Sequence, residues 1–161
     1  MKLENLRLRK SSLSDLPEIL KIEKASFPKG IAYSQNRFER FYRKHSSEFI
    51  VAENRKRKSQ NQTERKIIGY IIGKKNKKSG NLISLAVAPQ WRNKGVGNKL
   101  VKFLLNYFKK SGANSVFLNV RKSNKKAISF YEELGFKILK EVKKYYRNGE
   151  DAFLLTKRFN D

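Results

Sequence analysis

The chain has no cysteine and only one histidine among its 161 residues. Without cysteine there is no disulfide framework, no thiolate nucleophile and no cysteine zinc site. The single histidine, His45, is too little for a histidine metal centre, so we expect no metal cofactor. It follows the polar end of a predicted helix, where we expect an exposed side chain.

Long apolar runs are also missing. The longest ones, such as residues 67–73, are far too short to cross a bilayer. Charged residues occupy the N-terminus where a signal peptide would have its apolar centre. We therefore expect a soluble cytoplasmic protein with no membrane partner. With 39% hydrophobic and 12% aromatic residues, residues 1–161 can form the core of a single domain.

Acidic residues are scarce: 14 stand against 38 lysines and arginines, which gives a net charge of +24. Such a field attracts polyanions, including nucleic acid and the ribosome surface, although a highly basic proteome would give the same figure with no partner. Residues 54–66 are polar and basic without periodicity, which predicts a long hairpin loop. That loop is either a solvated insertion or a basic finger for RNA.

An apolar strand at residues 82–87 leads through a glycine-containing turn, residues 92–97, into an amphipathic helix. Gly95 and Gly97 have no side chains to keep a ligand away, and the N–H groups at a helix start carry the positive end of the helix dipole. The pattern predicts a pyrophosphate site, although two glycines at a helix entry also have a purely structural explanation. The basic residues beside them are Arg92, Lys94 and Lys99.

A second apolar strand, residues 116–120, leads into a helix that carries a set of polar, small and aromatic residues. The set is Asn124, Ala127, Tyr131, Gly135 and Phe136. With the strand at residues 82–87 and the glycine turn, in this order and spacing, the chain resembles the GNAT superfamily of acetyl-CoA-dependent N-acetyltransferases. The first helix and residues 145–152 resemble the branch that acetylates protein N-termini, the RimI-like enzymes and their archaeal and eukaryotic relatives.

Periodicity, caps and glycines predict the elements along the chain. We predict strands at residues 6–10, 49–52, 67–73, 82–87, 115–120, 137–143 and 152–157. We predict helices at about residues 14–27, from the Ser34 cap to about residue 44, and at residues 95–111 and 124–134. A helical crossover makes strands 82–87 and 115–120 parallel. The fold class is α/β, a single GNAT-type domain whose mixed sheet is mostly antiparallel, with about four helices and, as the resemblance implies, a splayed parallel strand pair.

The resemblance places the pantetheine arm of acetyl-CoA, the cosubstrate, between the splayed strands. It assigns the pantetheine amides to the backbone of Leu85, Ala86 and Val87, and a further pantetheine contact to Asn124. Unpaired peptide groups of a splayed strand need partners, which gives a physical reason for an amide-rich ligand. The residues assigned to the pyrophosphate, through their N–H groups, are Arg92, Asn93, Lys94, Gly95, Val96, Gly97 and Asn98.

Tyr131 resembles the general acid of the family and would also contact acetyl-CoA. A phenol with a pKa of about 10 stays protonated at pH 7 and can protonate the leaving thiolate of coenzyme A. Packing of this ring against Phe130 and Phe136 is the structural alternative.

Asn119 departs from the family pattern, because many N-terminal acetyltransferases have a Glu or His base at this position. A neutral amide does not accept a proton, but Asn119 can position a water or the incoming amine. Glu53, Glu23 and Tyr146 are other routes for the proton.

The absence of a strong base favours substrates that are easily deprotonated. An α-amine has a pKa of about 7.7 to 8.0 and a lysine amine about 10.4, so neutralisation at pH 7 costs roughly 1 and roughly 4.6 kcal/mol, respectively. Tyr33, Tyr145 and Tyr146 would suit a narrow slot that grips the first residues of a peptide, or they are ordinary core and rim aromatics.

We therefore predict an enzyme that transfers the acetyl group of acetyl-CoA directly to the N-terminal α-amine of proteins. The transfer takes place in a ternary complex, since the motif contains no nucleophile suited to an acyl-enzyme. Acetylation of lysine or of a small amine is the alternative within the same chemistry. A basic ribosome- or RNA-binding module with a vestigial acetyl-CoA site is the alternative from another class. The predicted partners are protein N-termini and, through the basic surface, the ribosome.

Overall fold

The computed structural model describes residue 3 and residues 5–44 and 47–159, so the prediction for His45 lies outside the described residues. The strands are β1 Leu6–Lys10, β2 Ser47–Ser59, β3 Gln62–Lys75, β4 Ser79–Val87, β5 Ser115–Arg121, β6 Lys137–Val142 and β7 Ala152–Arg158. The helices are α1 Leu16–Ser26, α2 Gln35–Arg43, α3 Val96–Lys110 and α4 Lys125–Glu133. Each predicted element is present, and only β2 and β3 differ greatly in length from the prediction.

The strands form one sheet in the order β1-β2-β3-β4-β5-β7-β6. Neighbours are antiparallel except for β4 and β5, which α3 connects and which run parallel. Those two strands pair only from Ser79 with Ser115 to Leu82 with Leu118. Beyond this point β4 continues along β3, and β5 continues along β7. The predicted parallel pair and its splay are both confirmed.

Helix α3 packs on one face of the sheet, where two glycines make room for it. A Cβ atom on Gly73 of β3 would lie 2.6 Å from Leu104, and one on Gly80 of β4 would overlap the ring of Phe108. Any larger residue at these positions would therefore push α3 away from the sheet. This close packing fixes the N-terminus of α3 relative to the end of β4.

Helices α1 and α2 cover the opposite face. An aromatic cluster forms there, in which the ring centroids of Phe38 lie 6.0 Å from Phe49 and 5.6 Å from Tyr70. Helix α1 buries Ile19, Ile22 and the adjacent Glu23 against the sheet, so its buried stripe ends on a carboxylate. The predicted Ser34 cap of α2 is confirmed, since its hydroxyl accepts the N–H of residue 37. No helix among the described residues is long and apolar enough to cross a membrane.

The predicted loop at residues 54–66 is wrong, because these residues extend β2 and β3 into a paired hairpin. The two strands pair from Asn54 with Lys66 to Ser59 with Gln62, with one register shift between Arg57 and Ser59. A two-residue turn at residues 60–61 joins them. Alternation of apolar and polar residues in a sequence indicates only those strands that bury one face. Backbone pairing needs no apolar side chain, so the sequence pattern gave no sign of it.

Candidate active site

The splay opens a gap between residues 83–87 of β4 and residues 119–121 of β5, two segments that the structure describes completely. Each segment still pairs on its outer side, with β3 and β7 respectively. The inner sides of both strands therefore present backbone groups without a strand partner. Such groups need hydrogen-bond partners from a ligand, side chains or water.

The direction of the β4 backbone decides which residues face the gap. The N–H of Ala88 donates to the carbonyl of Ile68 on β3 at 2.8 Å, so the even-numbered residues here direct their backbone groups to β3. By alternation, Leu85 and Val87 direct theirs into the gap, and Ala86 lies between them. Two of the three predicted pantetheine contacts thus have backbone groups on the gap side.

The turn at residues 92–97 gives α3 an open N-terminus. Asn93 and Gly95 have left-handed backbones, with φ of 58° and 78°. Gly95 is the N-cap and has no side chain to cap the helix, and its carbonyl accepts the N–H of Lys99 at 3.1 Å. The N–H groups of the three residues between them, Val96, Gly97 and Asn98, point out of the helix start with the positive end of its dipole behind them. An anion suits this arrangement.

Arg92 ties the turn to its surroundings through its side chain. Its Nε donates to the carbonyl of Val87 at 2.9 Å, and its Nη2 donates to the hydroxyl of Ser26 at 3.0 Å. The guanidinium therefore connects the end of α1 with the end of β4. Lys94 and Lys99, the other basic residues predicted beside the turn, are exposed.

Asn124 caps α4 at the end of the loop that follows β5. Its side-chain oxygen accepts the N–H of Ala127 at 3.2 Å, which is a helix-capping bond. The residue therefore has a structural role in addition to the pantetheine contact that the sequence predicts. Capping leaves the amide nitrogen of Asn124 as the donor for a ligand.

Tyr131 lies on the buried face of α4 with 7% of its surface exposed. Its ring centroid is 5.1 Å from Phe130 and 5.6 Å from Phe136, so the predicted aromatic packing is present. Burial, with a further contribution from nearby Tyr146, raises the pKa of Tyr131 well above its usual value. The phenol is therefore fully protonated at neutral pH, as a general acid must be.

The three tyrosines predicted to form a peptide slot come together from two loops. Tyr33 precedes α2, and its hydroxyl lies 3.5 Å from the carbonyl of Ile83 on β4. Tyr145 and Tyr146 follow β6, with ring centroids 4.9 Å apart. Burial and the proximity of Tyr145 and Tyr33 raise the pKa of Tyr146. Tyr146 in turn contributes to the raised pKa of Tyr131, which places these two tyrosines near each other.

Glu23 anchors a buried hydrogen-bond network beside this group. Its carboxylate accepts the N–H of Tyr33 at 2.6 Å and the hydroxyl of Tyr70, which also lies 3.0 Å from the hydroxyl of Ser84 on β4. Only 1% of Glu23 is exposed. Burial raises the pKa of its carboxyl, and the bonds from Tyr33 and Tyr70 offset part of that rise.

The other predicted proton routes have less suitable environments. Glu53 bonds to Arg9 at 2.8 Å and to Arg55. Burial alone would raise its pKa, but these two guanidinium groups lower it, so the carboxylate is a weak base. Asn119 lies on β5 beyond the last pair with β4, where it is exposed and faces Leu154 of β7.

Sequence reasoning missed Tyr70, Ser84 and Ser26 as parts of the site. Tyr70 could have been found, because it is the only residue with a polar side-chain group in the apolar run 67–73. The two serines carry no comparable sequence feature. Within the described residues no three His, Asp or Glu side chains lie close enough to hold a metal ion.

Comparison with known proteins identifies relatives of this arrangement. A family model described as the acetyltransferase (GNAT) family matches residues 16–136. An uncharacterised N-acetyltransferase of Methanocaldococcus jannaschii is 35% identical over 94% of this chain and 90% of its own length. An N-alpha-acetyltransferase of Sulfurisphaera tokodaii is 32% identical over 92% of this chain and 90% of its own length. The crystal structure of the ribosomal-protein-S18-alanine N-acetyltransferase of Escherichia coli aligns with a TM-score of 0.79 at 25% identity, covering 96% of this chain and 94% of that one.

Proposed function

Because the chain belongs to the GNAT family of acetyltransferases, we propose that it acetylates the N-terminal α-amine of proteins. Membership makes the protein an acetyl-CoA-dependent N-acetyltransferase. The observation that carries the finer proposal is the meeting of Tyr33, Tyr145 and Tyr146 beside the splayed strands. The relative named N-alpha-acetyltransferase supports the same class of substrate.

The residues present fit acetyl-CoA. The gap beside Leu85 and Val87 offers peptide groups without a strand partner, as an extended, amide-containing arm requires. Arg92 already binds the carbonyl of Val87, which leaves the N–H of that residue for the arm. The uncapped N-terminus of α3 suits the pyrophosphate, with Val96, Gly97 and Asn98 as N–H donors. The amide of Asn124 lies at the start of the helix that follows β5, where it would meet the pantetheine portion. Bound acetyl-CoA would supply the thioester carbonyl for the transfer.

A slot built from aromatic side chains suits the start of a peptide chain. Tyr33 is fixed by its contact with β4 and by Arg37, whose guanidinium lies 4.1 Å from its ring centroid. Tyr145 and Tyr146 close the other side from the loop between β6 and β7. We propose that the first residues of an extended peptide lie between these two loops.

We assign direct transfer in a ternary complex. The α-amine attacks the thioester carbonyl, its nitrogen forms the amide bond, and the carbon–sulfur bond breaks. Tyr131, a phenol that is protonated at neutral pH, gives its proton to the departing thiolate. Asn119 positions the amine or a water molecule. The amine loses its proton to solvent. Of the two alternative carboxylates, Glu23 is the stronger base, because burial raises its pKa whereas two arginines lower the pKa of Glu53.

Two rival functions make different predictions. Lysine or small-amine acetylation uses the same cosubstrate site, so it differs only in the acceptor. A basic ribosome- or RNA-binding module with a vestigial site would not need the open α3 terminus, the buried Tyr131 and the tyrosine group in one place. Association with the ribosome would add to acetyl transfer rather than replace it, and the net charge of +24 is its support.

Mass spectrometry of one peptide with a free N-terminus and an internal lysine separates these functions. Incubation with acetyl-CoA should place the acetyl group on the α-amine, which fragmentation locates. A matched peptide with a blocked N-terminus should remain unmodified. Product on the lysine of both peptides would replace the proposal with lysine acetylation, and no product on either would favour the non-catalytic module.

A further inference from the structure

The hairpin end of β2 and β3 projects from the sheet as a basic ribbon, which we define as residues 55–66. Strand β1 pairs with β2 only as far as Asn54, apart from one bond to the N–H of Arg55, and β4 pairs with β3 only as far as Gly69. Among the described residues, nothing else pairs with the ribbon beyond this base. Each of its strands extends about 17 Å, at roughly 3.4 Å a residue.

The composition of the basic ribbon is unlike that of a stable hairpin. It has six basic residues, one acidic residue and no apolar or aromatic residue. An isolated two-stranded ribbon without an apolar face is marginally stable in water. Residues 56–66 are all exposed, so the charge is fully presented to solvent.

Register separates the basic residues between the two faces of the ribbon. Arg55 lies directly opposite Arg65, and Arg57 opposite Thr63, which puts three guanidinium groups on one face. Arg57 and Arg65 are diagonal neighbours on this face and carry like charges, so a polyanion bound there would relieve their repulsion. The only acid of the ribbon, Glu64, lies on the other face and pairs with Lys58 at 3.2 Å.

Two of the three arginines are available to a partner. Arg55 at the base is engaged with Glu53, whereas Arg57 and Arg65 have no carboxylate within 4.0 Å among the described residues. Guanidinium groups bind phosphate through two parallel hydrogen bonds, which a lysine does not reproduce. The arginine face therefore suits regularly spaced phosphates.

The geometry points to the phosphate backbone of a nucleic-acid duplex as the partner of the basic ribbon. Protein interfaces need apolar or aromatic anchors at their centre, and membrane-surface segments need apolar side chains to insert. Single strands are held largely by stacking of bases on aromatic rings. The ribbon has none of these groups, whereas binding to duplex phosphates requires only positive charge and hydrogen-bond donors.

The test compares two doubly substituted full-length proteins of equal charge. Arg57→Gln with Arg65→Gln removes the free arginines of the ribbon, and Lys102→Gln with Lys109→Gln removes two exposed charges from α3. Fluorescence anisotropy measures binding to a labelled RNA duplex of about 20 base pairs and to the DNA duplex of the same sequence over a salt series. Vesicles of anionic lipid serve as the competing partner.

The ribbon variant should bind the duplex at least about tenfold more weakly near 0.1 M salt, with a salt slope smaller by about 2, and the α3 variant should match wild type. The duplex that the protein binds with the higher affinity identifies RNA or DNA as the natural partner. Equal losses in both variants, absence of duplex binding, or binding to vesicles alone would overturn the proposal. Both variants should keep wild-type peptide acetylation, so this test fails or succeeds independently of the acetyl-transfer proposal.

Discussion

At the residue scale, Tyr131 combines a structural environment with a chemical role. The same burial that packs its ring between Phe130 and Phe136 also raises the pKa of its hydroxyl above the usual value. Packing and acidity are separable by substitution, because phenylalanine preserves the ring and removes only the hydroxyl.

Tyr131→Phe should therefore lower kcat by about 10²-fold, the usual scale of general acid catalysis, with little loss of stability. Steady-state kinetics with a peptide and acetyl-CoA measure the first effect, and thermal unfolding measures the second. Full turnover in the variant, with the chemical step shown to be rate-limiting, would mean that water or another group protonates the thiolate.

The source of the base is a second question at this scale. Asn119, at the position where many N-terminal acetyltransferases have a base, has no ionisable group, so the amine of the substrate should determine the pH dependence. We expect kcat/KM to rise with pH at an apparent pKa that follows the amine of the peptide, and Asn119→Ala to retain measurable activity. Rate–pH profiles on two peptides with different amine pKa values make the measurement.

The opposite outcome identifies Glu23. Burial raises the pKa of its carboxyl, so as a base it would be lost when the pH falls through that raised pKa. The profile would then have one inflection, shared by both peptides, at the raised pKa of the Glu23 carboxyl. Glu23→Gln would remove this inflection, whereas Glu53→Gln would leave it unchanged because two arginines hold the pKa of Glu53 low.

At the element scale, the start of α3 is the part on which cosubstrate binding depends. Gly97 lies in its first turn, where a Cβ atom would lie 3.4 Å from the ring of Phe130 and 3.8 Å from Val87. These are ordinary contact distances, so alanine fits. The two γ carbons of a valine at this position would have to point towards the expected pyrophosphate or displace the ring of Phe130.

Gly97→Val should therefore weaken acetyl-CoA binding by at least about tenfold, or 1.4 kcal/mol, and Gly97→Ala should have a smaller effect. Calorimetric titration measures the affinities, and Lys102→Ala on the exposed side of α3 is the control. Unchanged affinity of the valine variant would exclude a role for this turn in holding the pyrophosphate.

At the scale of the whole molecule, the net charge of +24 opposes folding through self-repulsion. Screening by salt should relieve it, so the melting temperature should rise by a few degrees between about 10 and 200 mM sodium chloride at pH 7. Calorimetry measures the shift. The increment should shrink near pH 10, close to the pI of about 10.3, and an equal increment at both pH values would argue against self-repulsion as the cause.

The sequence by itself determined the elements that carry local patterns. Caps such as Ser34, helical periodicity and the glycines of the α3 turn depend on interactions between residues close in the chain. The resemblance to the GNAT family also predicted roles for Tyr131 and for the turn at residues 92–97, because a family motif keeps its residues at constant offsets along the chain. None of these predictions required knowing which other elements pack against the residues concerned.

Only the tertiary structure decided which residues far apart in the chain share an environment. The network of Glu23, Tyr70 and Ser84 joins α1, β3 and β4, and the arginine face of the ribbon depends on the register of β2 against β3. The pKa values of Glu23 and Glu53 likewise shift in opposite directions, because Glu23 is buried beside tyrosines and Glu53 lies between two arginines. Register, burial and charge proximity are properties of packing, and no local pattern in a single chain encodes them.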